Sequence, residues 1–167
     1  MTDHTHHWVD TDRQIDELAQ RLGSVSQYSL DTEFHREKTY FPRLALIQIS
    51  AGGRIALIDP LAVDATLLRP LFEGESLAVF HAAQQDLDVL TQSIGFVPAR
   101  IFDTQLAAGF VGYSSPSLVN LAAGLLRVTV PRTGALAVSS CLPGTESSPM
   151  QPSSRNMEPP LLTEKYK

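Results

Sequence analysis

Between Tyr28 and Phe34 the chain alternates in character. Tyr28, Leu30, Thr32 and Phe34 fall on one side of an extended backbone, and Ser29, Asp31 and Glu33 fall on the other. The alternation predicts a strand. Ahead of it, Ile15, Leu18, Ala19 and Leu22 recur at helical spacing; Thr11 and Gln14 form a capping box, and Gly23 closes the helix. Behind it runs a polar connection from His35 to Pro42. Two apolar strands follow, Leu44 to Ile49 and Ile55 to Ile58, and the Gly52-Gly53 turn joins them as a hairpin. Residues 64–72 predict a short helix with Leu67, Leu68 and Leu71 inward, and Leu77 to Phe80 a buried fourth strand.

The helical period returns from Ala82 to Ile94 and stops at Gly95, with Ala83, Leu87, Leu90 and Ile94 on one face. Asp86 lies on the flank of that face, leaning toward the sheet, whereas Asp88 projects from the opposite side as a solvated charge. Ile101-Phe102-Asp103 reads as a short strand and Thr104 to Phe110 as a helix. Pro116-Ser117 opens another helix, with Leu118, Leu121, Ala122 and Leu125 inward. Strands interleaved with helices after one early hairpin predict an α/β fold, a mixed sheet covered by helices. From Pro131 to Lys167 the chain holds six of its eleven prolines and six serines without sustained periodicity, a composition expected to be disordered. The expected organisation is therefore one domain over residues 8–130 and a tail over 131–167.

Apolar residues make up 43% of the 167 positions, enough for a real core, and the formal net charge is -5. No broad basic footprint follows from that balance, so extensive duplex binding through phosphates is not expected. A small site that grips one end of a nucleic acid through metal ions remains open. Cys141 is the only cysteine, which excludes an internal disulfide and suits a reducing compartment. No apolar run approaches the roughly 20 residues of a membrane span, and the N-terminus lacks a signal pattern, so the cytoplasm is the expected location. His4, His6 and His7 beside Trp8 read as a frayed, solvated terminus rather than a metal cluster.

Candidate chemistry begins with Asp31 and Glu33, which share one face of the predicted strand. Like charges held side by side repel and lose hydration, and a divalent cation turns that cost into a site. Magnesium takes oxygen ligands and keeps waters and substrate phosphate oxygens in its shell. Two such ions about 4 Å apart suit phosphodiester cleavage. Asp86 is the third acid in reach. The plainer reading makes Asp31 and Glu33 surface acids on an edge strand and Asp86 a helix-start charge favoured by the dipole. Spacing alone leaves both open. Arg36, Lys38 and Arg43, with Tyr40 and Phe41, either hold phosphates and stack a base or form a solvated loop with an aromatic anchor. His81 ends a buried strand beside the site, where packing or a hydrogen bond suits it better than a magnesium ion does.

Asp31-Thr32-Glu33-Phe34, Thr39-Tyr40-Phe41-Pro42-Arg43-Leu44-Ala45-Leu46-Ile47-Gln48 and Asp59-Pro60-Leu61 together resemble the opening of ribonuclease D, of the DEDD superfamily of 3′–5′ exonucleases. His81-Ala82-Ala83-Gln84-Gln85-Asp86-Leu87 resembles the second motif of that family, and Phe102-Asp103-Thr104-Gln105 the segment after it. The resemblance implies an RNase H-like fold and a two-metal hydrolysis, with magnesium or manganese, that removes nucleotides from a 3′ end. Asp31, Glu33 and Asp86 would be the catalytic, metal-binding carboxylates. Thr32, Phe34, Arg36, Lys38, Tyr40 and His81 would meet the nucleic acid. The implied partner is single-stranded RNA, tRNA precursors among the candidates, with DNA the less favoured alternative.

The family's third motif, Tyr-x-x-x-Asp, supplies a fourth carboxylate and a tyrosine that orients the attacking water. Here Tyr113 is followed four residues on by Ser117, and Tyr166 only by Lys167. The resemblance therefore implies a domain truncated before that motif, through a frameshift, altered splice or shortened frame, with little or no turnover. A non-catalytic nucleic-acid-binding remnant or an unstable fragment is the alternative. Asp103 reads as a residue steadying a helix start rather than as a substitute ligand.

Overall fold

In the computed structural model, which describes residues 6–35, 42–114 and 116–129, the alternating segment is the long strand β2, Gln27–His35. The capping box of Thr11 and Gln14 opens α1, Asp12–Leu22, after β1, His6–Val9. β3, Arg43–Ala51, and β4, Arg54–Ile58, form the expected hairpin, with both turn glycines at positive φ. A 3-10 turn, Ala65–Leu68, leads into α2, Arg69–Phe72, and then β5, Leu77–Phe80. The order continues with α3, Gln84–Ile94; β6, Ile101–Asp103; α4, Thr104–Phe110; and α5, Leu118–Leu121, which runs into a π-helical turn over Ala122–Leu126.

The six strands lie in the order β1-β4-β3-β2-β5-β6. β2, β3 and β4 are antiparallel neighbours, while β5 joins β2, and β6 joins β5, in parallel. This is the mixed α/β sheet that the pattern predicts. The core forms against the face that carries Tyr28, Leu30, Ile47 and Ile49, closed by Ile15 and Leu18 of α1, Phe72 of α2 and Leu90 of α3. Tyr28 stacks on Phe72, with ring centroids 6.5 Å apart, and Phe72 meets Phe96 edge-on at 5.7 Å. The acidic face is covered less evenly. Ser29 pairs with Val79 and Val79 with Phe102; Val79, Ala108, Leu121 and Ala122 are buried outside the main core, yet Phe102 is 46% exposed and Phe110 92%.

Four details depart from the sequence reading. His6 and His7 do not fray: they pair in parallel with Ile55 and Ala56 of β4. Only Val9 of that strand is buried, so no hydrophobic period announces it. The 64–72 helix divides, its second half starting afresh with Pro70 in its first turn. The helix expected from Ala82 begins at Gln84, and its buried stripe is Asp86, Val89 and Leu90, which puts Asp86 in the middle of the face rather than on its flank. Leu125, expected inward, is 59% exposed, because the π-turn rotates it off the stripe begun by Leu118 and Leu121. Arg36, Lys38, Tyr40, Phe41, Cys141 and the expected tail from Pro131 to Lys167 lie outside the described residues.

Tyr28 is fully buried, and its hydroxyl finds no hydrogen-bond partner among the described residues. Removing an unsatisfied buried hydroxyl is close to neutral or stabilising. Tyr28→Phe is expected to hold or raise stability by up to about 1 kcal/mol in urea unfolding; a loss of that size would mean that the hydroxyl is bonded.

Candidate active site

The site grows where a strand ladder ends. β5 pairs with β2 only at Gln27, Tyr28 and Ser29, so among the described residues the ladder between these two strands ends before Thr32. The first turn of α3 fills the gap. Asp86 Oδ1 accepts the main-chain N–H of Thr32 at 2.9 Å and its hydroxyl at 2.6 Å. Both residues are buried. Across the other edge, Gln48 of β3 stands opposite Asp31, its Nε2 3.4 Å from Asp31 Oδ2. The β2–β3 register slips just past Glu33: Leu46 faces Glu33 but Leu44 faces Phe34, so Ala45 is an extra residue. A bulge there bends the strand directly beyond the paired acids.

Electrostatics tie the acids together. Burial pushes the Asp31 carboxyl up to about 6, and the charges of Asp86 and Glu33 push it the same way, although the side chain still reaches solvent. Burial also raises Asp86, against the opposing effect of the two Thr32 hydrogen bonds. Asp31 thus feels both the i+2 acid on its own strand and the acid on α3. The donor set consists of carboxylate oxygens, which suits a hard cation, and a cation would relieve the repulsion. Among the described residues no three His, Cys, Asp or Glu side chains converge closely enough to hold a metal ion unaided. The carboxylates therefore fit an ion that draws the rest of its shell from water and phosphate.

The approach of α3 is set from β6. Asp103 accepts the N–H groups of Ala82 at 3.1 Å and Ala83 at 2.9 Å, and caps α4 through Gln105 at 2.8 Å and Leu106 at 3.3 Å. Ala82 sits at φ 62, a left-handed conformation that a non-glycine residue adopts only when held. Burial alone would raise the Asp103 carboxyl, but these N–H donors bring it below its ordinary value. Asp103 is fully engaged as a cap. His81 is tied down nearby: the Thr104 hydroxyl donates to the Phe80 carbonyl at 2.9 Å and lies 2.9 Å from His81 Nδ1. That arrangement assigns the Nδ1 proton to the bond with Thr104. His81 Nε2 is buried, and burial holds the ring below its ordinary value against the opposing pull of Asp103 and the Pro116 carbonyl.

Of the residues expected at the site, the structure brings Asp31, Glu33 and Asp86 into one electrostatic neighbourhood. It turns Thr32 inward onto Asp86, packs half-buried Phe34 against the core, and turns His81 toward Thr104. Arg36, Lys38 and Tyr40 lie outside the described residues. One contributor, Gln48, is missing from the expected site residues; it is legible in retrospect as the polar side chain between Leu44 and Ile49. Thr32, expected to meet nucleic acid, instead turns its hydroxyl inward onto Asp86.

A mixed sheet with acids on its central strand is met by an acid from the helix that follows the neighbouring parallel strand, and the sheet is shared with 3′–5′ exonucleases. A sequence model described as 3′–5′ exonuclease matches residues 6–146, and the chain belongs to that family. It is 39% identical over 108 residues to ribonuclease D of Acidiphilium cryptum, covering 63% of this chain and 28% of that protein. It is 38% identical over 106 residues to ribonuclease D of Escherichia coli, covering 62% and 28%. The crystal structure of Escherichia coli RNase D superposes with a TM-score of 0.74 at 30% identity, over 85% of this chain and 39% of that one. A Trypanosoma brucei RNase D complex with RNA shares the fold, with a TM-score of 0.68 at 16% identity over 77% of this chain and 49% of that one. The chain spans 28% of the length of either bacterial relative.

Two outcomes follow from the site. Because the folded Asp31 carboxyl binds its proton more tightly than the usual 3.8, the folded state gains stability at low pH and loses it as pH rises through about 6. At face value the shift is worth about 3 kcal/mol, which solvent screening reduces to roughly 1 kcal/mol for a side chain this exposed. Asp31→Asn is therefore expected to raise the melting temperature of the metal-free chain at pH 7.5 and to leave it unchanged near pH 4. A gain of equal size at both pH values would contradict the assignment. Asp103→Ala removes acceptors from two chain segments at once and is expected to destabilise the chain by about 2–4 kcal/mol, read by urea unfolding.

Proposed function

We propose that this chain carries a ribonuclease D-like 3′–5′ exonuclease site that hydrolyses phosphodiester bonds at the 3′ ends of single-stranded RNA, tRNA precursors among them, by two-metal chemistry. The single observation that supports it is the raised Asp31 carboxyl, pushed up first by burial and then by Asp86 from a distant part of the chain and Glu33 from its own strand. Asp31, Glu33 and Asp86 would hold magnesium or manganese. Bound there, the ions supply Lewis-acid activation of water and neutralise charge on the phosphate. Gln48 steadies Asp31 from the neighbouring strand, and the buried Thr32 steadies Asp86. The reading places the chain in the cytoplasm, with DNA a weaker substrate than RNA.

The 167 residues contain no Tyr-x-x-x-Asp. Each missing contact, the fourth carboxylate and the orienting tyrosine, is worth about 3 kcal/mol, or roughly a hundredfold in rate. This chain alone is therefore a weak nuclease. The lack of a third converging ligand among the described residues favours one other reading, a non-catalytic nucleic-acid-binding module.

A 3′-labelled single-stranded RNA incubated with magnesium separates the two. Stepwise shortening at least about a thousandfold slower than by intact ribonuclease D, and abolished by Asp31→Ala, is the expected result. RNA binding without any shortening would favour the non-catalytic module, and faster shortening of matched DNA would overturn the substrate assignment.

A further inference from the structure

Thr32 lies between the two acids of β2, but its side chain points to the opposite face, into the core. Its main-chain N–H belongs to the stretch of β2 edge that β5 leaves unpaired. Both donors of this one residue go to the same atom, Asp86 Oδ1, at 2.9 and 2.6 Å, and both bonds are buried. A carboxylate oxygen that accepts two short hydrogen bonds has little remaining capacity for a cation on that side. The other oxygen keeps its charge and has its orientation set by the first. The rest of the surroundings fit an orienting device. Asp86 sits in the middle of the buried stripe of α3, with Val89 and Leu90 beneath it, so the helix cannot rotate it away without disturbing the core.

We propose that Thr32 is a positioning residue for Asp86: its N–H and hydroxyl together occupy Oδ1, so that the carboxylate presents Oδ2 alone to a divalent cation shared with Asp31. The inference rests on the function proposed above and adds a device to it. Main-chain donation alone would leave the carboxylate free to swing about a single bond; the hydroxyl supplies the second point. A side chain that merely satisfied a buried acid would affect the stability of the fold but not its affinity for a cation.

Manganese binding to the full chain, measured by electron paramagnetic resonance with melting temperatures in parallel, tests this without reference to turnover. Thr32→Val is expected to weaken manganese binding about tenfold, and Thr32→Ser, which keeps the hydroxyl, to restore it to within about twofold of the wild type. Thr32→Ala serves in place of Thr32→Val should the latter not fold, with the same tenfold weakening expected. Wild-type affinity in Thr32→Val or Thr32→Ala, whatever the melting temperature, would overturn the positioning role and leave the nuclease reading intact. No manganese binding by the wild-type chain would overturn both.

Discussion

The structure depends on a repulsion. A buried carboxylate, Asp86, stands close to two on the exposed face of β2, and burial together with the charges of Asp86 and Glu33 raises the proton affinity of Asp31. A fold does not keep such a cluster for stability, since like charges set together favour the protonated form and weaken the native state at neutral pH. Under the proposed function the arrangement makes sense: a cation would reverse the sign of the interaction, and the geometry that strains the free protein would then bind. The family to which the chain belongs is consistent with that use, and the sheet shows how it is built.

What builds it is an interrupted ladder. β5 stops pairing with β2 at Ser29, and the Thr32 N–H of the central strand goes to α3 instead. Asp86 is the acceptor there. Just ahead of α3, Asp103 holds left-handed Ala82 and the next N–H in place while capping α4. Two short parallel strands, one strained alanine and one capping acid thus position a helix on which a single carboxylate matters. Beyond the site the acidic face is thinly covered, and Phe102 and Phe110 remain open to solvent among the described residues.

Much of this was legible in the chain itself, for physical reasons that differ from element to element. The alternation through Tyr28–Phe34 and the capping box at Thr11 are local signals, read out by backbone geometry and nearest neighbours, and both hold in the structure. β1 was not legible because three of its four side chains face solvent and its only support is parallel pairing with β4. The orientation of α3 was misjudged by the width of one residue: counting Leu87 and Ile94 as central hid the fact that Val89 and Asp86 share the buried stripe. The inward role of Thr32 was hidden for a related reason. A threonine among apolar residues reads as a tolerated strand former, and its partner lies far along the chain. Resemblance named the acids as a set but said nothing about what holds each of them.

The central claim is that Asp31, Glu33 and Asp86 form one cation pocket at the open edge of β2. Crystals soaked in manganese and measured at the manganese absorption edge test it most directly. The account predicts an anomalous peak within coordination distance of oxygens from both Asp31 and Asp86, about 2.0–2.3 Å for a hard divalent ion. No peak there, or a peak held by other residues while these carboxylates stay bare, would contradict it.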